Sequence, residues 1–120
     1  MRALTVRQQW AWAIIHGGKD VENRSWTNRY ATGVIAIHAG VGLDSFDFLP
    51  RGARRPQPEE LKHGAIIGVV EVSGVVRNHR SKWFEKGSLG WVLKNPRPLP
   101  RPSRPLEAGS EYRASDRKTA

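Results

Sequence analysis

The chain has 120 residues, 20 lysine and arginine against 11 aspartate and glutamate, a formal charge of +9, and no cysteine. That length suits one compact domain, and the missing thiols exclude disulfides, zinc–thiolate centres and cysteine nucleophiles. The basic excess is spread over the whole chain and favours a polyanionic partner, for which nucleic acid is the usual candidate.

In chain order, "ALTV" (residues 3–6) reads as a first strand, and residues 7–16 run without Gly or Pro as a helix. On that helix Trp10 and Ile14 share a face, as do Ala11 and Ile15, with Trp12 and His16 toward its flank. Gly17 and Gly18 end the helix, and the segment through Trp26 is expected to be extended. "GVIAIHAG" (33–40) and "AIIGVVEVSGVV" (65–76) are β-branched runs that predict strands. Between them, Pro, Gly and Arg mark a surface excursion with a helical turn at Glu59–Lys62. "SLGWVLKNP" (88–96) predicts a further strand ended by Pro96. Residues 106–120, after a proline-rich stretch, are poor in large apolar side chains and predict a disordered tail. Several strands with one early helix imply an α+β fold built on a small curled sheet or barrel.

No apolar run approaches the roughly 18 residues of a membrane span and no signal-peptide pattern opens the chain, so a cytoplasmic protein is expected. A monomer is expected. The four histidines, at 16, 38, 63 and 79, lack metal-ligand spacing, and "GVG" at 40–42 is too short a fragment to cradle a phosphate. No metal and no cofactor are predicted.

The charges of "GGKDVENRSW" (17–26) carry the functional question. In an extended chain Glu22, Arg24 and Trp26 share a face, and such a pair on an open strand is worth at most about 1 kcal/mol. Glu71 interrupts an apolar strand, so it needs a cation, a proton or water. Lys19 and Arg24 are the nearest candidates, and the other possibility is a wet outer face. His38, in "IAIHAG", is by default a core or rim histidine. Lys19, Glu22, Arg24 and Glu71 are expected to converge on one cleft.

Taken together, "LTVRQQWAWAIIHGGKDVENRSW", "GVIAIHAG", "GAIIGVVEV" and "GWVLKNPRPL" resemble the ASCH domain family, whose signature Gly-x-Lys-x-x-Glu-x-Arg is met at Gly17, Lys19, Glu22 and Arg24. The resemblance implies a PUA-like β-barrel over residues 1–105, one main N-terminal helix packed outside it, a cleft beside that helix, and RNA binding. Three departures stand out. The family's amidohydrolase branch, which acts on N4-acetylcytidine, has a threonine where this chain has Glu22. Relatives often carry a lysine where this chain has Val41. The usual apolar last strand has no counterpart in the tail, which implies an open barrel edge.

Two functions follow as expectations. The first is a domain that binds single-stranded RNA or a modified nucleoside, stacking a base on Trp26 or Trp10 and reading it with Lys19, Glu22, Arg24, His38 and Glu71. The alternative is a small hydrolase, a ribonuclease or amidohydrolase, with Lys19 and Glu71 as acid and base beside Glu22. A nucleophile separates the two. Ser25 and Thr27 lie near the motif without an evident base, so binding is placed first.

Overall fold

A computed structural model of the chain describes residues 2–25, 32–103 and 113–114. Trp26, and the expected tail apart from Arg113 and Ala114, lie outside the described residues. Strand β1 (Arg2–Val6) leads into helix α1 (Gln8–His16), followed by β2 (Val21–Arg24), β3 (Gly33–Ala39), β4 (Ala65–Val76), β5 (Leu89–Ser103) and the two-residue β6 (Arg113–Ala114). They form one sheet in the order β2-β5-β4-β3-β1-β6. The five longer strands curl into a half-barrel beside one main helix, an α+β architecture consistent with a small PUA-like barrel. β1 runs parallel to β3, and the β3–β4–β5–β2 ladders are antiparallel. β6 pairs with β1 through Arg2–Arg113 and Ala3–Ala114, adding to the edge that the tail was expected to leave bare.

α1 packs Ala11, Ile14 and Ile15 against Leu4, Val6, Ile35, Ile37, Val70, Val72 and Leu93 of the sheet, as the helical spacing predicts. Trp12, expected at the flank, is instead buried with Ala13, Val21, Leu49 and Trp83. The reason lies in the excursion between β3 and β4. It contributes Leu49, Ala53 and Leu61 to that second cluster, and so covers the helix rather than projecting from it. Its local order comes from two 3₁₀ turns, Phe46–Phe48 and Pro58–Glu60. A third cluster, Ala3, Ala36 and Ile66 with Val69 and Leu99, buries the other face of the sheet.

β5 does not stop at Pro96 but continues to Ser103. Its prolines, at 96, 98, 100 and 102, fall on every second residue. Successive residues of a strand turn their N–H groups to opposite edges, so this spacing withholds donors from one edge only. β2 accompanies β5 only along residues 89–92, which leaves the later half one neighbour, β4. A ladder to a single neighbour can tolerate such alternation. Between Val69 and Glu71 the β4–β5 register shifts, and there Asn95 takes a φ of 54° on the bulged strand.

Gly68 marks the closest approach of β4, β5 and α1. A Cβ there would lie 2.7 Å from the Arg97 carbonyl oxygen and 2.7 Å from Ile15 Cδ1. Gly68→Ala is therefore expected to lower stability by about 1–3 kcal/mol through overpacking, read as a lower urea midpoint at unchanged slope. An unaltered midpoint would show that the three elements can separate freely.

Candidate functional site

The glycine stop after α1 builds the floor of a cleft. Gly17 lies against Trp12, where a Cβ would fall 2.7 Å from the indole, and Gly18 adopts a φ of 78°. The chain then turns back, and Lys19 N donates to the Ala13 carbonyl at 3.0 Å. Lys19 thereby leaves the helix pointing inward. It is only 5% exposed, as is Glu22, and Arg24 is 1% exposed.

These three side chains form a buried chain of charge. Lys19 Nζ donates to the Val21 carbonyl at 2.6 Å and lies 3.5 Å from Glu22 Oε1. Glu22 Oε2 lies 3.1 Å from Arg24 Nε. Arg24 Nη2 donates to the Thr5 carbonyl at 3.2 Å, so the last residue of β2 reaches across to β1. The expected alternation of Glu22 and Arg24 is correct, but the pair is interior rather than a solvated surface pair.

Aromatic walls rise from this floor. Lys19 Nζ lies 5.5 Å from the ring centroid of Trp10 and 5.5 Å from that of Trp83. With Phe48, Phe84, Asn23, Asp44 and the rim cations Arg7 and Lys82 they line a cavity of about 490 Å³. Each wall is clamped. Asp44 accepts from Trp10 Nε1 at 2.8 Å and pairs with Arg7, while its backbone N donates to Gln9 Oε1 at 3.0 Å. Asn23 donates to the Trp83 carbonyl at 2.8 Å and accepts from Glu85 N at 2.8 Å, holding the 83–85 segment over the cleft.

Two expected members are elsewhere. Glu71 does not converge with Lys19. Its neighbours Val70 and Val72 fill the core, so the alternation of β4 turns Glu71 to the opposite face. There its side chain is 37% exposed, with the carboxylate 3.8 Å from Lys94 and accepting from Asn95 Nδ2 at 3.1 Å. His38 also lies on that face, with Nδ1 3.1 Å from Thr5 Oγ1, and burial holds its pKa below the ordinary value. Asp44, Asn23, Trp83, Phe84, Phe48 and Lys82 were not foreseen. The one sequence signal for them is "SKWFEK", adjacent aromatics within a basic stretch.

The family model of the ASCH domain matches residues 4–108. The chain belongs to the ASCH domain family. Comparison with curated proteins gives no significant match. The family is PUA-like, which is consistent with RNA binding, and no helix among the described residues is long and apolar enough to cross a membrane. Within this ASCH domain the signature residues Lys19, Glu22 and Arg24 are contiguous.

Burial lowers the pKa of Lys19 below its ordinary value, and the Glu22 carboxylate opposes that shift. The folded state thus releases the Lys19 proton before the unfolded state does. As pH rises toward 10.5, the unfolded chain binds more protons at this residue, and stability should rise relative to a Lys19→Met variant. As pH falls through the folded pKa that gain is lost. Urea denaturation of both proteins at neutral pH and near pH 10 checks the sign, and a gap moving the other way would mean that Lys19 is stabilised in its charged form.

Proposed function

We propose that this ASCH domain binds single-stranded RNA by taking one base into the cleft. The carrying observation is the cavity of about 490 Å³ with Trp10, Trp83, Phe84 and Phe48 around a buried Lys19–Glu22 pair. Aromatic faces accept any base by stacking, polar groups at depth select among them, and cations at the mouth attract phosphates. Arg7 and Lys82 are the exposed cations at the mouth, and Phe48, 67% exposed, offers a further flat surface there. The floor and walls thus suit the edge and the faces of a base, and the rim suits its phosphate.

Hydrolysis has less support. An acid–base pair of Lys19 and Glu71 does not form, because Glu71 is engaged by Lys94 and Asn95 on the opposite face. Among the described residues that line the cleft there is no serine, threonine, cysteine or histidine to serve as nucleophile or imidazole base.

Filter binding of a short single-stranded RNA should weaken steeply between low and moderate salt, as counterion release requires. Trp83→Ala should reduce affinity by about 1–3 kcal/mol with little change in salt slope, the signature of lost stacking. Lys82→Ala should reduce the slope instead. The proposal fails if RNA does not bind at low salt, or if it binds with no sensitivity to Trp83→Ala.

A further inference from the structure

The floor of the cleft presents its polar groups in a fixed order: Lys19 Nζ, then Glu22 Oε1 at 3.5 Å, then Oε2, with Arg24 behind Oε2 at 3.1 Å. Lys19 and Glu22 both line the cavity, whereas Arg24 backs them from outside it. An ammonium has three protons, and here one goes to the Val21 carbonyl and one toward Glu22. A carboxylate has about four acceptor sites, and the two cations engage one on each oxygen. What remains is one donor from Lys19 beside two acceptors from Glu22. In order along these two cavity-lining side chains, the unengaged groups are donor, acceptor, acceptor.

We infer that the cleft selects guanine. This rests on the proposed base-binding reading and sharpens it. The Watson–Crick edge of guanine offers O6 as acceptor, then N1–H and N2–H as adjacent donors, the complement of that array. O6 meets Lys19, N1–H meets Oε1 and N2–H meets Oε2. The other bases fail at identifiable positions. Uracil places O2 against Oε2, two acceptors face to face. Cytosine and adenine have one exocyclic donor followed by a ring-nitrogen lone pair, which opposes the carboxylate. Hydrogen bonds to a charged acceptor in a site with little water are the strong ones, so the mismatch is penalised at depth.

The test is a titration of the wild-type protein with guanosine, inosine, adenosine, cytidine and uridine 5′-monophosphates, followed by tryptophan fluorescence. Inosine is the informative member, because it keeps O6 and N1–H and lacks only the N2 amine. GMP should bind at least about tenfold tighter than IMP and than the other three. In Glu22→Gln, whose amide offers one donor and one acceptor, the gap between GMP and IMP should close. If that variant does not fold by circular dichroism, the wild-type ratio decides alone. Binding of all five within about threefold, or preference for another base, overturns the guanine assignment while leaving the base-binding cleft in place. Retention of the GMP preference in folded Glu22→Gln overturns it as well. No binding by any nucleotide, together with no binding of RNA, overturns both.

Discussion

Glu22 stands between two cations, Lys19 and Arg24, at a place almost without solvent, and the geometry of the site depends on that arrangement. A charge taken from water loses several kcal/mol of solvation unless partners replace it. Each member therefore depends on its neighbours. Arg24 needs Glu22 and the Thr5 carbonyl, Glu22 needs both cations, and Lys19 needs Glu22 and the Val21 carbonyl. The mechanical consequence concerns the sheet. β2 is joined to it through β5, and β1 lies three strands farther along. Arg24 links the two directly through its hydrogen bond to the Thr5 carbonyl.

The cleft walls stand on this base but are held by other means. Trp10 comes from α1, and Asp44 fixes its indole N–H from the excursion after β3. Trp83 comes from the segment between β4 and β5, and Asn23 of β2 holds that segment through two backbone contacts. Lys19 lies at the same distance from both rings, so the cation at the floor and the faces of the walls have a common reference. A site ordered before binding loses less entropy when a ligand enters. These clamps thus extend the order of the ionic base outward to the aromatic surfaces.

The strands β1, β3 and β4, the helix and its stop were legible because each rests on a local rule: β-branched runs, helical spacing, paired glycines. The shared face of Glu22 and Arg24 was legible from strand alternation, whereas their near-complete burial was not. Glu71 was not. Both faces of β4 are apolar because α1 covers one and the Ala3–Ala36–Ile66 cluster the other, so parity along the strand could not say which side a lone carboxylate takes. The end of β5 was misplaced because proline was read as a terminator, although alternate prolines need only one edge without a neighbour. Asp44 and Trp83 lie in loops, where no periodicity reports which face meets the cleft, and Asn23, inside β2, lines the cavity although its neighbour Glu22 does too. Their roles depend on contacts between residues 34 to 60 positions apart.

The distribution of sign around the cleft bears on how a polyanion could enter it. The protein as a whole is basic, yet its cavity is lined by Glu22, Asp44 and Glu85 as well as Arg7, Lys19 and Lys82. Glu22 already shares its charge with two buried cations, and Asp44 with Arg7, so the interior is near neutrality by local pairing rather than positive. A phosphate carried inward would exchange water for a floor whose cations are committed to Glu22. A neutral base loses far less solvation and gains the aromatic faces. On the proposed reading the two halves of a nucleotide are therefore sorted by depth, the base to the paired charges and aromatic walls, the phosphate to the exposed lysine and arginine at the mouth. The paired floor serves that sorting better than an unpaired lysine could, since a free buried cation would attract the phosphate and hold the base outside.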